Sequence, residues 1–382
     1  MYQIIHKFKI INSPKNQIKN IFIMVIILFF SKEVYSQEII KLTNNLISPF
    51  KVSGYVETYG STTFSNSLNN KKSPIFVSYN RNNEPAVNLA FFKIKYDIKN
   101  VKANFALAAG TYMRSNYKEE PGLLKNLYEA NIALKILKEN NTWLEIGTFS
   151  SHIGFENAKG SNNWTLTRSL TAENVPYYES GARINHTSND GKWFMSALIL
   201  TGWQSIKPID GNTLPSFGTQ ITYKPSSNIT LNSSTFIGTD TPNHSRLMRY
   251  FHNFYSTLKL SNKLAATVGF DIGMEQKRKG SSTFNKWFNS TVIIRYTPTK
   301  NTAMAIRGEY FDDRDSVLLS SIAPNSFRTW AFSANFDWHI TKNFLWRFEA
   351  RSLINKDNIF TKQDGTTTET NTALTTALAI NF

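Results

Sequence analysis

Residues 330–340 read WAFSANFDWHI, and this stretch decides the fold. Because successive side chains of a β-strand point to opposite faces, it separates into an apolar face and a face of small or polar residues. The apolar face carries Trp330, Phe332, Ala334, Phe336, Trp338 and Ile340, and the other carries Ala331, Ser333, Asn335, Asp337 and His339. The alternation recurs in residues 264–273, 344–351 and 373–382, so the sequence predicts a chain built of such strands.

Sixteen segments of this kind follow residue 50, separated by short turns and long loops in strict alternation. The short turns carry Asn, Asp, Gly or Pro at their tips, as hairpins do, and must all lie at one end of the structure. This pattern is typical of outer-membrane proteins. We predict an all-β, transmembrane, antiparallel up-and-down β-barrel over residues 37–382, with about sixteen strands, short periplasmic turns and long extracellular loops. The predicted strands are 51–64, 87–98, 101–113, 126–137, 142–149, 177–188, 192–203, 216–224, 228–238, 247–260, 263–274, 284–297, 302–313, 326–340, 343–354 and 369–382.

Composition excludes other classes of protein. The 382 residues include no cysteine, which excludes disulfides, a thiolate nucleophile and Cys-ligated zinc. No apolar run in the body of the chain reaches the roughly 18 residues of a transmembrane helix. A soluble β-sandwich also alternates, but strands long enough to cross an apolar band of about 25 Å and aromatic residues at strand ends favour the membrane barrel. The formal net charge of +16 is spread over turns and loops, so we predict no nucleic-acid partner.

The N-terminal segment has the features of a targeting signal. Lysines precede an unbroken apolar run, IFIMVIILFF, at residues 21–30. Ten residues are too few to span a bilayer but suit a signal peptide. We predict a signal peptide over residues 1–36, cleaved after Ser36, and hence export to the outer membrane; a retained anchor helix is the alternative.

The polar face of the strands should line the interior of the barrel. Sixteen strands leave a water-filled interior, and charges of both signs on its wall would screen passing solutes. The alternative is that these charges form cross-strand ion pairs, such as Arg347 or Arg351 with Asp337, that only stabilise the wall. The pore-lining candidates are Glu57, Lys93, Lys95, Glu129, Glu145, Glu179, Arg183, Arg295, Arg307, Glu309, Asp337, Arg347, Glu349 and Arg351.

The longest loop, residues 150–176, could fold inward and narrow the pore, or could cap the outer surface. Its constriction candidates are His152, Glu156, Lys159, Arg168 and Glu173. Loop 65–86 is the second candidate for an inward loop. Signals for an enzyme are weak, because neither Ser150-Ser151-His152 nor Asn243-His244-Ser245 has a nucleophile elbow or a supporting motif. We predict no catalytic residue, no cofactor and no metal site.

Several segments in order along the chain resemble the OmpL-like β-barrel porins of Bacteroidota-type outer membranes. They are Ser53–Glu57, Asn88–Tyr96, Tyr128–Ile132, Glu145–Phe149 with His152–Gly154, Pro176–Arg183, Gly238–Pro242 and Ala379–Phe382. The resemblance implies an outer-membrane porin that is a monomer or a homotrimer, with Glu57, Glu129, Glu179 and Arg183 on the side of the lumen. It also implies that the outer-membrane assembly machinery reads the last strand, which ends in Phe382.

We therefore predict a porin that lies in outer-membrane lipid and passes small hydrophilic solutes or ions by passive diffusion. One alternative is a non-conducting barrel whose extracellular loops bind a partner or a nutrient. The other is an outer-membrane hydrolase that uses His152 or His244.

Overall fold

The computed structural model describes residues 49–64, 75–137, 141–319, 327–362 and 364–382. Within these residues sixteen antiparallel strands pair in chain order, and the last pairs with the first to close a barrel. The predicted fold is thereby confirmed. The predicted signal peptide, 1–36, lies outside the described residues and stays a prediction. The strands are β1 Phe50–Thr63, β2 Pro85–Ile98, β3 Val101–Ala109, β4 Leu127–Leu137, β5 Asn141–Ser150, β6 Tyr178–Thr187, β7 Trp193–Leu200, β8 Ser216–Ser226, β9 Ile229–Gly238, β10 Arg249–Lys259, β11 Leu264–Gln276, β12 Phe284–Tyr296, β13 Thr302–Asp313, β14 Phe327–His339, β15 Phe344–Asn355 and β16 Thr370–Asn381.

The third predicted strand extends well beyond its observed end. The third was expected to reach residue 113, but β3 ends at Ala109 because Gly110 takes a φ of 132° and a short helix, α1 Thr111–Asn116, follows. The described parts of the long loops also contain a second short helix, α2 Leu170–Glu173, and three short 3-10 helices. A two-residue ladder pairs Phe360–Thr361 with Thr367–Thr368. No helix among the described residues is long and apolar enough to cross a bilayer.

The outer surface of the barrel is apolar. Along β14 the exposed large side chains are Trp330, Phe332, Phe336 and Trp338, whereas the alternate residues Ala331, Ser333, Asn335 and Asp337 are buried. This burial is the reverse of that in a soluble β-protein and suits a wall that faces lipid. Aromatic pairs lie at both ends of the wall, as in interfacial girdles. Those at the turn end are Trp193 with Tyr223 and Trp338 with Trp346, and those at the loop end are Tyr250 with Phe284 and Tyr310 with Trp330.

The buried core lies inside the barrel, because loops fold into it. Leu170 of the long loop packs with Phe76, Phe311, Phe327 and Leu353 near the loop end of β13–β15. A second apolar cluster inside the barrel joins Ile153 and Val175 of the loop to inner-face side chains of β9, β10 and β12. The packing therefore brings residues 151–177 into the lumen, which sets the geometry of the candidate site.

Candidate functional site

The long loop between β5 and β6 crosses the interior of the barrel. Just after β5, His152 Nε2 donates to the Thr235 carbonyl on β9 over 2.8 Å. The Gly154 N–H donates to Asn253 Oδ1 on β10 over 3.2 Å. The long loop therefore folds inward, which is one of the two positions that the sequence left open. The described part of loop 65–86 contacts the long loop inside the barrel.

Three arginines on β13 and β15 hold the loop against the inner wall. Arg307 on β13 donates to the Thr167 carbonyl over 2.8 Å. Arg347 on β15 donates to the carbonyls of Gly160 and Asn163, over 2.8 and 3.0 Å. Arg351, also on β15, donates to the Arg168 carbonyl over 2.7 Å. The guanidinium groups replace the water that these backbone oxygens would otherwise need.

Polar side chains beside these arginines accept the N–H groups of the same loop. Glu349 accepts from Thr167, Glu309 from Leu170, and Asn335 from Leu166. The carboxylates also pair with the arginines: Arg307 with Glu349 over 2.9 Å and Arg351 with Glu309 over 2.8 Å. Both donors and acceptors of an irregular buried loop are therefore satisfied by one charged wall.

A further ion pair on this wall joins two adjacent strands, β14 and β15. Arg347 contacts Asp337 over 2.8 Å, and both side chains are almost fully buried. This is one of the cross-strand ion pairs that the sequence left open, whereas Arg351 pairs with Glu309 rather than with Asp337. We call β12–β16 and β1 the covered wall. Six pore-lining candidates face inward on it beneath the loop rather than toward open space: Arg307, Glu309, Asp337, Arg347, Glu349 and Arg351.

Gly160 lets the loop lie close to β1. A Cβ at this position would stand 2.2 Å from Glu57 Oε1 and 2.6 Å from the Tyr79 hydroxyl. Tyr79 donates to Glu57 over 2.9 Å, and Arg168 donates to Tyr79 over 3.3 Å. Glu57 and Arg168, predicted for the pore wall and the constriction, are thus both buried in the contact between loop and wall.

Two loop carboxylates are buried as well. Glu173 Oε2 accepts the N–H of Val77 over 2.9 Å and that of Ser78 over 3.1 Å. Burial raises the pKa of Glu173 to about 7, against the opposing effects of Arg168 and of these two donors. Glu156 accepts from the Ser169 N–H over 2.9 Å, and burial likewise raises its pKa. Two inward loops are joined by Glu173, and Glu156 ties the long loop to itself.

His152 is held by acceptors on both sides. Its Nδ1 lies 2.9 Å from Glu179 and its Nε2 lies 2.8 Å from a carbonyl oxygen, so both nitrogens donate and the ring is cationic. Burial lowers the pKa of His152, but the charge and hydrogen bond of Glu179 together with the Thr235 carbonyl outweigh burial, so the pKa is raised. Ser151 Oγ also donates to Glu179, over 3.0 Å. No ring nitrogen is left to take a proton from a serine, so these residues do not form the arrangement of a serine hydrolase. His244 lies in an exposed turn.

Most charged side chains on the opposite wall stay accessible, whereas Glu179 on β6, the partner of His152, is buried. On β2 and β4, Lys93 and Glu129 form an ion pair whose side chains are 27% and 13% exposed. Lys95 pairs with Asp97 over 3.0 Å. We call β2–β8 the open wall. Two more of its pore-lining candidates, Arg183 and Glu145, pair over 2.8 Å and remain partly exposed.

Two further candidates, one on the covered wall and one on the loop, stay partly exposed. Arg295 on β12 stays 22% exposed, 3.9 Å from Asp337. Lys159 of the loop lies over the Tyr55 ring, 5.2 Å from its centre, and its pKa is lowered by burial. The predicted pore-lining set is therefore divided by the loop into sealed and accessible members.

Sequence reasoning did not find the residues that seat the loop. Gly160 was not singled out, nor were Asn335, Thr165 or Asn289, each of which contacts the loop or forms part of it. Asn335 and Asn289 occupy inward positions of their strands, so their place in the alternation was the available signal. Nothing in the loop sequence identifies Asn335 and Asn289 as its partners, and both lie more than 100 residues from the loop residues that they contact.

Solved structures of known proteins share this fold. The anion-selective porin from Comamonas acidovorans has a TM-score of 0.57 at 10% identity, covering 87% of this chain and 99% of its own. The outer membrane channel DcaP of Acinetobacter baumannii has a TM-score of 0.60 at 11% identity, covering 87% and 97%. OmpT of Vibrio cholerae, in its trimer form, has a TM-score of 0.54 at 6% identity, covering 87% and 99%. At such identities the likeness shows the fold alone.

No curated protein matches the sequence. A family model does match, and it spans residues 49–382, which include the whole barrel with its inward loop. The chain therefore belongs to the family described as "Putative beta-barrel porin-2, OmpL-like".

Proposed function

We propose that this protein is an outer-membrane porin that lets small hydrophilic solutes or ions diffuse passively between the inward loop and the open wall. One observation carries the proposal: the loop buries most charged side chains of one wall, such as Arg347 and Asp337, and leaves most of those on the other wall accessible, such as Lys93 and Glu129. An interior built only for stability would have no reason to keep one charged wall wet. Family membership and the shared porin fold add weight to it.

The mechanism is exclusion by size together with the field of the wall. The loop, fixed by arginines and carboxylates, narrows the lumen without moving parts. The accessible charges then act across water on ions that pass, and a narrow tube with low-dielectric walls strengthens that field. Basic side chains outnumber acidic ones on the open wall, which favours anions. They are Lys93, Lys95, Lys102, Lys135, Arg183 and Lys224 against Asp97, Glu129, Glu145 and the buried Glu179.

The same barrel is the basis for two further parts of the proposal, which are insertion into the lipid bilayer and recognition by the assembly machinery. The apolar outer face binds outer-membrane lipid, and Phe382 lies exposed on that face. Its N–H and carbonyl bond to Gly54, over 3.1 and 2.7 Å, so the terminal residue completes the closure of the barrel. This position suits recognition of the last strand by the assembly machinery. The barrel acts as a monomer or a homotrimer, and no step of the mechanism needs catalysis.

Planar-bilayer recording of the purified, refolded chain in a potassium chloride gradient tests the proposal. We expect discrete conductance steps and a reversal potential that favours chloride. The matched variant is Lys93→Glu with Lys95→Glu, which should keep the steps and move the reversal potential toward cations. A correctly folded barrel that gives no steps contradicts the proposal and favours the non-conducting alternative.

A further inference from the structure

A cavity of about 500 Å³ lies inside the barrel at the end where the short turns are. We propose that this inner cavity binds small organic anions that carry an aromatic ring. The inference rests on the proposed function, because it names the solute class that the pore would retain. Two lysines, three aromatic side chains and the position of the loop support it.

The two lysines face each other across neighbouring strands. Lys192 precedes β7 and Lys224 lies on β8, and the Lys224 N–H donates to the Lys192 carbonyl over 2.8 Å. Both side chains line the cavity. Like charges in directly opposite positions of a sheet repel each other. An anion between them would turn this repulsion into two attractive contacts.

No carboxylate takes the place of that anion. The described residues that line the cavity include no Asp and no Glu, and neither lysine forms an ion pair with a described carboxylate within 4.0 Å. Asp190 lies in the same turn as Lys192, but it accepts from the Ser188 hydroxyl over 2.6 Å and from the Lys192 N–H over 3.0 Å. Its oxygen therefore shapes the turn. Elsewhere on the open wall, each of Lys93, Lys95 and Arg183 has its own carboxylate.

Aromatic side chains form the other part of the cavity. Phe155, from the inward loop, meets Tyr255 on β10 edge to face at 5.7 Å, and Phe194 on β7 also lines the space. Phe155 is seated over Gly269, where a Cβ would stand 2.6 Å from its ring. The loop is thus placed so that its ring reaches the cavity. Aromatic rings offer faces and edges to a flat apolar solute, while threonine hydroxyls in the cavity can donate to its anionic group.

Lysines and rings together define the ligand. A neutral sugar would leave the lysine repulsion unrelieved, and a cation would add to it. A simple inorganic anion would leave the aromatic surface unused. An aromatic carboxylate satisfies both parts, and a molecule of that size fits a cavity of this volume.

Benzoate is the probe for the test. Added on the turn side of wild-type channels in bilayers, it should interrupt the current in a concentration-dependent way, whereas acetate and benzylammonium should do so at least about tenfold less well. The double variant Lys192→Gln with Lys224→Gln should weaken the benzoate effect about tenfold. Phe155→Leu should weaken it while leaving the effect of acetate unchanged.

The matched control is Lys300→Gln with Lys342→Gln, which removes two lysines from other turns at the same end of the barrel. Equal loss in test and control variants would show a general surface potential and overturn the proposal. So would wild-type channels that conduct normally but respond equally to benzoate and acetate.

A second measurement separates this proposal from the porin function. Saturation-transfer NMR of benzoate with the folded barrel in detergent needs no conductance. If no steps are seen but transfer is present and lost in the Lys192 and Lys224 variant, the porin function fails and the site stands. If steps are seen without transfer, the porin function stands and the site is overturned.

Discussion

The two walls of this barrel use the same kinds of side chain in opposite ways. On the covered wall, Arg347 and Asp337 form an ion pair with almost no exposed surface, and Arg347 also holds two loop carbonyls. On the open wall, Lys93 and Glu129 form an ion pair that keeps 27% and 13% of the side-chain surface exposed. Both pairs face inward from their strands. What differs is whether the long loop lies on them, so the loop rather than the strand decides which charges anchor structure and which meet solutes.

The largest difference is expected when one member of each pair is removed. Arg347→Leu leaves Asp337 buried without its close partner and frees the carbonyls of Gly160 and Asn163. Removing one partner of a buried pair costs about 3–5 kcal/mol of unfolding free energy. Lys93→Leu breaks an accessible pair and should cost about 1 kcal/mol or less. Urea unfolding of the refolded variants, followed by tryptophan fluorescence, measures both. Similar losses from the two variants would contradict the division into walls.

A steric change at the loop should have the next largest effect. Gly160→Ala places a methyl group against Glu57 and Tyr79, so the loop must lift from β1 or the neighbours must shift. Overpacking of this kind costs about 1–3 kcal/mol. Gly60→Ala is the matched control, because no atom lies within 4 Å of a Cβ there, and surface changes of this kind stay within about 0.5 kcal/mol. Unfolding midpoints and current noise in bilayers would report the two effects. An unchanged midpoint for Gly160→Ala would show that the loop does not press on the wall.

The pH dependence of stability should come from the loop side of the contact. The pKa of Glu173 rises from its ordinary 4.5 to about 7 in the folded chain, chiefly by burial. The folded state thus holds this proton more tightly than the unfolded state, and unfolding free energy falls as pH rises from 4.5 to 7. Glu173→Gln should remove the fall in that window. Unfolding midpoints measured from pH 4 to pH 9 test it.

His152 should act in a higher window of the same experiment. Its pKa lies above the ordinary 6.5, since burial lowers it less than Glu179 and the Thr235 carbonyl together raise it. Its stabilising contribution is complete below pH 6.5 and is lost as pH rises through the folded-state pKa. His152→Gln should remove this upper fall and leave the lower one intact. His244→Gln, in an exposed turn, should change neither; a change there would point to a general effect of histidine loss.

The strands could be predicted because their signals are local. Alternation every second residue and turn residues at the tips place all sixteen strands in the right order, with most ends displaced by a few residues. The exception, the end of β3, depends on the φ of Gly110, which residue identity alone does not fix. An inward direction for Arg307, Glu309 and Glu349 also follows from alternation.

The contacts of those inward side chains could not be predicted in the same way. Whether Arg351 meets water or the Arg168 carbonyl depends on a contact between residues 183 positions apart. The loop sequence mixes Asn, Ser and isolated charges with apolar residues such as Phe155, Trp164 and Leu170, and this mixture does not identify the wall that the loop covers. The covering of one wall is a property of packing. Sequence reading could name the loop as a candidate but could not say which wall it seals.

The smallest effect, on ion selectivity, tests the open wall most directly. Lys95→Gln removes an accessible positive charge, and Glu57→Gln removes a charge sealed beneath Gly160. A unit charge at about 4 Å in water is worth about 1 kcal/mol, so Lys95→Gln should lower the permeability ratio of anions to cations by at most roughly fivefold. Glu57→Gln should leave the ratio unchanged. The effect of Lys95→Gln should also shrink as salt rises, since screening shortens the reach of an exposed charge. Reversal potentials in dilute salt gradients measure all three statements. A selectivity change from Glu57→Gln as large as that from Lys95→Gln would mean that ions reach both walls, and the loop would then be a movable cover rather than a fixed lining.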